Sequence, residues 1–428
     1  MKKKTKTKLN EQNQWLYGRQ RTSLLITLLL VSIVSQIDRV LPFILAESIK
    51  TDLKLSDTQI GLITGLAFTV CYALAALPLA RISDKGWARK VLLWSVIFWS
   101  IMTGLGGLAV GFVTLTFSRI GVALGEAGGT PASHAIIAQR IPENFRGRAI
   151  AIFSMGIPLG TMLGFAVGGW ASDSIGWRNA LFGAGVLGLI VVIFVLSFIR
   201  KQEVFKQKAK TEENFIKASR ELFSKPAFKW LFMAAILMGL SSAPFYIFTS
   251  PFLIRTFGLT AGEVGLSFGL LQGIMGIVGT LFGGRMFDRI AGNGYKGLMN
   301  PPATIFIIAS ITTSIALFMP NSWMSILLLI PGMFSFAFMM PFAFGAGHLV
   351  AGPKKQAFSI SLLMLGSGLI GATISPFLVG AISDFASASH VDSGLQMGLL
   401  LVPLFSFQLG IVGFIVSRKI SSFLKNNN

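Results

Sequence analysis

Cysteine and charged residues are scarce in this chain. Cys71 is its only cysteine, and charged residues make up 13% of its 428 residues. A single cysteine excludes an intrachain disulfide and a cysteine metal cluster. No Gly-x-x-x-x-Gly-Lys-Ser/Thr sequence occurs, which excludes ATP as the energy source through a P-loop. A membrane enzyme built on Glu126 and His134 would need a nucleophile or metal set, and the sequence has no acid-rich or histidine-rich cluster. We therefore predict no enzyme activity and no cofactor.

Hydrophobic residues, by contrast, are abundant. They make up 53% of the sequence, and the mean hydropathy of +0.70 places the chain outside the soluble class. Apolar runs of about 20 residues recur along the chain, each long enough to cross a bilayer core of roughly 30 Å. They predict an all-α integral membrane protein. The twelve predicted spans are 23–46, 58–80, 89–110, 113–138, 149–171, 178–199, 229–254, 261–285, 302–319, 323–347, 357–382 and 395–417.

The net charge of +20 is unevenly distributed between the predicted loops. The positive excess lies in alternate loops, beginning with the residues before the first span, and the remaining loops sum to a small negative charge. Positive loops stay in the cytoplasm, so both termini are predicted to be cytoplasmic. We interpret the basic N-terminus as a topology signal and predict no nucleic-acid partner. The predicted regions are an N-terminal segment over 1–22, six-helix bundles over 23–199 and 229–417, a cytoplasmic linker over 200–228 and a C-terminal segment over 418–428.

The sequence contains an internal repeat. Leu55–Gly65 reappears 204 residues later as Leu259–Gly269, and at the same offset Asp84 falls on Asp288. In both copies a Ser or Thr is followed three positions later by Gln or Glu, the capping box of a helix N-terminus. The chain is therefore predicted to hold two copies of one helical unit, with a substrate path between them.

A finer repeat closes spans 2, 5, 8 and 11. Each of these spans ends with a small residue, three others and an Asp. The small residue permits close helix approach, and the Asp suits the N-terminal end of a neighbouring helix. Four copies predict a 3+3+3+3 arrangement of the twelve helices. The four pairs are Ala80 and Asp84, Gly169 and Asp173, Gly284 and Asp288, and Gly380 and Asp384.

Four charged residues lie well inside the predicted spans: Asp38 and Arg39 in span 1, Arg119 and Glu126 in span 4. A charge at mid-bilayer costs at least about 2.5–3.5 kcal/mol, so such residues normally face the bundle interior. Equal depth favours a direct pair between Asp38 and Arg119, with Arg39 and Glu126 nearby. The four residues either form a structural ion-pair network or couple proton movement to a substrate.

Three further residues are weaker candidates for the site. His134 follows Glu126 by about two helical turns and is either a proton relay or a core histidine. Phe245 and Tyr246 lie in span 7 between two prolines, where they either line an apolar wall or fill the core. A cavity charged on one side and apolar on the other would suit an amphipathic anion, its head bound by Arg39 and Arg119.

The loops after spans 2 and 8 resemble the cytoplasmic loop motif of the major facilitator superfamily. The matching residues are Asp84-Lys85 with Arg89-Lys90, and Gly284-x-x-x-Asp288-Arg289. The resemblance covers the whole chain and implies the fold of that superfamily, working as a monomer. It also implies a conformational switch formed by Asp84, Arg89, Asp173, Asp288, Arg289 and Asp384.

Residues 36–180 resemble the spinster-type branch of that superfamily. The resemblance rests on Arg119–Ala127, Pro131-Ala132, Arg146–Ala149 and Ser154–Gly160, together with Asp38-Arg39. Spinster-like carriers of animals move lysophospholipids or sphingoid phosphates. The resemblance implies that Asp38 and Glu126 couple protons, while Arg39 and Arg119 bind substrate. The same half is shared more loosely with organic-anion and sugar-acid carriers.

The sequence thus predicts a multi-pass transporter of the bacterial cytoplasmic membrane. It would move a lipid-like or organic anion by proton-coupled alternating access, with the proton gradient in place of a cofactor. Its partners would be that small-molecule or lipid-like substrate and the membrane lipids. The alternatives are a proton symporter for a small organic acid or sugar acid, a multidrug efflux carrier and, outside transport, a transport-dead receptor.

Overall fold

The computed structural model describes residues 19–199, 215–352, 355–390 and 393–427. Within these ranges the regular structure is entirely helical, so the all-α prediction is confirmed. Most of the predicted N-terminal segment 1–22 and the first part of the linker 200–228 lie outside the described residues. We call residues 19–199 the first half and residues 215–427 the second half.

Each half contains long helices joined by short connections. The helices of the first half are α1 Arg19–Ile44, α2 Ala46–Leu53, α3 Asp57–Gly61, α4 Phe68–Ile82, α5 Ala88–Gly106, α6 Phe112–Arg140, α7 Glu143–Ser154 and α8 Gly156–Phe198. Those of the second half are α9 Phe215–Ser224, α10 Pro226–Phe257, α11 Ala261–Val264, α12 Leu270–Gly292, α13 Asn300–Leu317, α14 Ser322–Ala351, α15 Gln356–Leu365, α16 Ala372–Ala388, α17 Gly394–Leu399 and α18 Leu401–Asn427.

Short π-helical segments connect three pairs of these helices into continuous rods. Leu62–Ala67 joins α3 to α4, Gly265–Gly269 joins α11 to α12, and Gly366–Gly371 joins α15 to α16. A fourth segment, Ser83–Trp87, leads from α4 into α5. Such segments are frequent at functional sites. The first two occupy equivalent positions in the sequence repeat, directly after each capping box.

Glycines mark the bends where one long helix becomes two antiparallel ones. Gly86 has φ 93° between α4 and α5, and Gly176 has φ 82° within α8. Side chains other than glycine rarely adopt this left-handed region. The two bends divide the apolar stretches Asp57–Gly106 and Asn144–Phe198 into two limbs each.

Nine helices in the described ranges are long and apolar enough to cross a membrane. The α6 helix is not among them, since its buried Arg119 and Glu126 lower the hydropathy of the segment. The twelve-span count and the cytoplasmic position of both termini stay predictions.

The capping boxes of the sequence repeat are confirmed. The Ser56 hydroxyl accepts from the Gln59 amide at 3.2 Å, and the Gln59 side chain accepts from the Ser56 amide at 2.9 Å. Thr260 and Glu263 make the same two bonds at 3.2 and 2.8 Å. These reciprocal bonds satisfy amides that have no partner within the first turn of a helix, so α3 and α11 begin where the repeat predicts.

A row of four glycines lets α8 lie directly against α1. A Cβ at Gly160 would lie 2.6 Å from the Ile33 carbonyl oxygen, and one at Gly164 would lie 2.3 Å from a Val40 methyl. Backbones approach this closely only where side chains are absent. The row consists of Gly156, Gly160, Gly164 and Gly168.

We expect Gly160→Ala to lower the melting temperature of the purified protein. The added methyl group must displace the α1 backbone, a strain of roughly 1–3 kcal/mol that exceeds the gain in helix propensity. The control is Gly183→Ala, where a Cβ meets nothing within 4 Å. Equal melting temperatures for the two variants would contradict close α1–α8 packing.

Candidate functional site

A buried ion pair lies in the middle of the first half. Arg39 on α1 donates from Nε to Oε2 of Glu126 on α6 at 2.6 Å. The Glu126 side chain is fully buried, whereas the Arg39 side chain keeps 33% of its surface exposed. The pair therefore joins a carboxylate inside the bundle to an arginine whose side chain stays partly exposed.

The expected side-chain pair between Asp38 and Arg119 is wrong. Arg119 Nη1 donates to the backbone carbonyl of Asp38 at 3.3 Å, not to its carboxylate. Within the described residues, no side-chain hydrogen bond or salt bridge joins the Asp38 carboxylate to Arg119. Neighbouring residues point about 100° apart on a helix, so Arg39 and Asp38 face different helices. Arg39 reaches Glu126 on α6, and Asp38 lies beside Trp99 and Thr103 on α5.

Two aromatic rings on α4 cover the guanidinium groups. The Arg39 guanidinium carbon lies 4.7 Å from the ring centre of Tyr72 and 5.5 Å from that of Phe68. Phe68 also lies 5.2 Å from the Arg119 guanidinium. An aromatic face attracts a cation, so these rings hold two like charges close together in the bundle. Sequence reasoning missed them, although their four-residue spacing in span 2 was an available signal.

The structure places His134 beside an aromatic ring and not beside Glu126. Its ring packs edge-to-face against Phe153, with centroids 5.4 Å apart. It lies eight residues after Glu126 on α6, about two helical turns away. A relay role for His134 stays a prediction.

In the second half, the two predicted substrate residues have different surroundings. Phe245 is only 1% exposed and packs against Phe336 at a centroid distance of 5.4 Å, so it is core in this structure. Tyr246 is half-buried and lies beside Gln272 on α12. Gln272 is 3% exposed, and its Oε1 has no hydrogen-bond partner in the described part of the chain. The second half therefore presents the polar side chains of Tyr246 and Gln272 on the side of the cavity that the sequence predicts to be apolar.

Ion pairs join the two halves at one end of the bundle, which we call the closed end. Arg255 at the end of α10 makes two bonds to Asp57, of 2.7 and 2.8 Å, and a third to Glu47 of 2.6 Å. Lys50 adds a bond of 2.7 Å to the same Asp57 carboxylate, which is 2% exposed. Sequence reasoning missed this network, because the residues lie in loops and helix ends on opposite halves.

Two of the repeated Asp residues strengthen the same end. Asp384 accepts from the amides of Asp57 and Thr58, at 2.9 and 2.8 Å, at the start of α3. Asp173 accepts from the amide of Gly262 at 2.7 Å, at the start of α11. Each carboxylate thus lies at the positive N-terminal end of a helix from the other half.

The other members of the predicted switch lie at the opposite end of the bundle. Asp84, Asp288 and Arg289 are exposed there. Arg89 donates to the backbone carbonyls of Ile199 and Leu196 at the end of α8, within the first half. The switching role of all six residues stays a prediction.

Comparison with known proteins identifies a family. The sequence profile of the Major Facilitator Superfamily matches residues 25–376. An MFS-type efflux pump of Mycolicibacterium smegmatis is 30% identical over 88% of this chain and 87% of its own length. A probable L-galactonate transporter of Escherichia coli is 23% identical over 86% of this chain and 84% of its own length.

A solved structure has the same fold. It is the crystal structure of a bacterial homolog to the human lysosomal transporter Spinster, in an inward-facing and unoccupied conformation. It is 25% identical to this chain, with a TM-score of 0.84, and the match covers 95% of this chain and 98% of that one. The sequence resemblance to the spinster-type branch is confirmed.

We expect Arg255→Gln to loosen the closed end, since it removes the only guanidinium bound to the buried Asp57 carboxylate in the described residues and leaves it with Lys50 and the Ser383 hydroxyl. Spin labels at Thr51→Cys and Ser389→Cys, in a Cys71→Ser background, lie on opposite halves at that end. The variant should move the distance distribution between the labels to longer values. Breaking a buried pair costs up to about 3–5 kcal/mol, and the remaining Lys50 and Ser383 contacts reduce this cost. A change of about 1.4 kcal/mol already alters the ratio of the two populations tenfold.

The control for this experiment is Arg178→Gln. Arg178 pairs with Asp52 at the same end, but both residues belong to the first half and are partly exposed. The label distances should stay unchanged in this variant. An unchanged distribution in Arg255→Gln would show that the network does not hold the halves together.

Proposed function

The chain belongs to the Major Facilitator Superfamily, and we propose that it is a proton-coupled secondary transporter of organic anions. It is a multi-pass membrane transporter of the spinster-like branch and not an enzyme. The bacterial origin of its relatives supports a location in a bacterial cytoplasmic membrane. The proton gradient would supply the driving force.

The observation that carries the proposal is the buried carboxyl group of Asp38. The residue is 1% exposed, and in the described residues its carboxyl group faces the neutral side chains of Thr103 and Trp99 and forms no salt bridge. An ionised carboxylate in such surroundings is costly, so the neutral form is favoured here. Glu126, by contrast, already has Arg39 as its partner. We therefore assign the transported proton to Asp38.

The charge balance of the cluster explains why the substrate would be an anion. With Asp38 protonated, Arg39 and Glu126 balance each other and Arg119 leaves one positive charge in excess. A guanidinium binds a carboxylate or phosphate through two parallel hydrogen bonds. Binding of the proton and of the anion would thus favour each other, and both would move in the same direction.

We propose an amphipathic, lipid-like anion as the substrate, with its head at Arg119 and Arg39. The support for the apolar tail comes from Tyr246, which is half-buried and packs against the core ring of Phe336. A sugar acid is the second candidate. The Gln272 side chain contacts Tyr246, and its Oε1 has no hydrogen-bond partner in the described residues. This oxygen favours a sugar acid, because it can accept from a substrate hydroxyl.

Alternating access would proceed by rocking of one half against the other. In this structure the closed end is sealed by the Arg255–Asp57 network and by the two Asp caps at helix N-termini. Opening that end would break these bonds, and the exposed Asp84, Asp288 and Arg289 would then be free to make new ones at the other end. Proton binding at Asp38 would bias the exchange between the two arrangements.

We expect Asp38→Asn to abolish proton-driven uptake in proteoliposomes while substrate exchange across the membrane survives. The amide is a permanently neutral substitute for the protonated acid, so coupling should fall at least about tenfold. The assay would follow proton flux with a panel of lysophospholipids, sphingoid bases and small organic acids. Asp52→Asn, which removes an exposed carboxylate outside the cluster, is the control.

Glu126→Gln completes this test. It breaks the pair with Arg39 and should weaken substrate binding as well as transport. If Asp38→Asn transports with full proton coupling, Asp38 does not carry the proton. If both variants behave as the unmodified protein, the cluster is a structural network and the proposal is wrong.

Gln272→Leu distinguishes the two substrate classes. If the substrate is a sugar acid, loss of the amide should reduce galactonate uptake by about tenfold or more, since a substrate hydroxyl loses its partner. Uptake of a lysophospholipid should be unchanged. Gln396→Leu, in the same half but bonded to the Leu317 carbonyl, is the matched control. Equal galactonate uptake by both variants would show that Gln272 does not bind a substrate hydroxyl and would contradict the sugar-acid assignment.

A further inference from the structure

One aromatic ring contacts both arginines of the charged site. The centre of the Phe68 ring lies 5.2 Å from the guanidinium carbon of Arg119 and 5.5 Å from that of Arg39. An aromatic face attracts a cation most strongly where water is excluded, and Arg119 is only 4% exposed. The ring therefore holds the Arg119 guanidinium in a defined position.

In that position Arg119 binds the backbone of Asp38 and not its carboxyl group. Its Nη1 donates to the Asp38 carbonyl oxygen at 3.3 Å, while the carboxyl group faces the neutral side chains of Thr103 and Trp99 on α5. The carbonyl and carboxyl groups belong to one residue, so a rotation of the Arg119 side chain is sufficient to exchange one acceptor for the other. The guanidinium is thus close to the carboxyl group but is not its partner.

Two further charged residues lie near Asp38, and neither is placed to stabilise its ionised form. The Glu126 carboxylate on α6 repels an ionised Asp38. Arg39 follows Asp38 on α1, but its Nε is bound to Glu126 at 2.6 Å. Among the described residues, Arg119 is therefore the cation that can stabilise an ionised Asp38.

The backbone just before Phe68 is held by the second half. A Cβ at Gly61 would lie 2.3 Å from the Pro376 carbonyl oxygen on α16, and one at Gly65 would lie 3.0 Å from Pro376 Cγ. Phe68 follows Gly65 by three residues and is the first residue of α4. Its ring is therefore anchored through the backbone as well as by side-chain packing.

We propose that Phe68 is a positioning residue for the proton site. Its ring keeps the Arg119 guanidinium on the backbone carbonyl of Asp38 and away from the carboxyl group. The neutral form of Asp38 thereby stays favoured, and Phe68 sets the pH range in which this residue takes up its proton. This inference rests on the proposed function, since it concerns the group assigned there to carry the proton.

Infrared spectroscopy tests this role without knowledge of the transported molecule. The stretch of the protonated Asp38 carboxyl group is identified by its loss in Asp38→Asn and is then followed as the pH is varied. Phe68→Leu keeps an apolar side chain but removes the ring, so Arg119 is released to pair with the carboxylate. The proton affinity of Asp38 should fall about tenfold or more, because a nearby opposite charge favours the ionised form. Phe68→Tyr, which keeps a ring, should restore it.

Tyr72→Leu is the matched control. It removes the neighbouring ring of α4, which lies 4.7 Å from the Arg39 guanidinium, whereas the α4 ring beside Arg119 is that of Phe68. Loss of either ring opens the same side of the site to water. The proton affinity of Asp38 should stay unchanged in Tyr72→Leu, so that an effect of added water is distinguished from an effect of Arg119.

An Arg119→Gln background supplies the second test. Without the guanidinium, the further change Phe68→Leu should not lower the proton affinity of Asp38. The proposal would be overturned if Phe68→Leu and the unmodified protein had equal proton affinities. An equal fall in Tyr72→Leu, or a fall that persists in the Arg119→Gln background, would also overturn it. Proton coupling in Asp38→Asn is measured separately, so the positioning role and the proposed function can fail independently.

Discussion

Burial of charge is the constraint on which the site depends. Asp38, Arg39, Arg119 and Glu126 lie well inside the apolar spans of the first half, where a charge without a partner raises the free energy. Arg39 and Glu126 satisfy each other, and the rings of Phe68 and Tyr72 cover the guanidinium groups. Asp38 is left over. In one conformation of the bundle, ionisation of this carboxyl group costs free energy. In the other conformation, a neighbouring arginine can stabilise the ionised form. Such a difference is sufficient to couple proton binding to a conformational change.

The gene-level duplication visible in the sequence explains the closed end. In both repeats a capping box starts a helix, and the helix from the other half that lies against it carries an Asp at the contact: Asp384 near the end of α16, and Asp173 just before the Gly176 bend of α8. Gly380 and Gly169 permit this contact, since a Cβ at either would lie within 2.4 Å of a backbone oxygen on the other half. The pattern of a small residue followed by an Asp therefore forms two contacts between the halves. The two contacts lie at positions related by the internal repeat. Arg255 then adds ion pairs across one of the two contacts.

Local sequence patterns predicted the helical fold and the charged residues of the site. They did not predict which residues from distant parts of the chain contact each other. Hydropathy and the repeat predicted the all-α fold and the starts of α3 and α11, because these depend on nearby residues. Asp38, Arg39, Arg119 and Glu126 were singled out because charge is rare in apolar spans. Their pairing was wrong for Asp38 and Arg119, since depth along two helices does not define the rotation of each helix. The contact of Arg255 with Asp57 joins residues 198 apart, and no local signal marks it.

The π-helical segments give the three continuous rods a property that an ordinary α-helix lacks. A π-helical turn contains one residue more than an α-helical turn. The π-helical turn can move along the helix when backbone hydrogen bonds are exchanged one at a time. Each step rotates the side chains at that position about the helix axis. Leu62–Ala67 lies between the cap at Asp57 and the rings of Phe68 and Tyr72. One end of this rod can therefore rotate against the other while the helix stays unbroken.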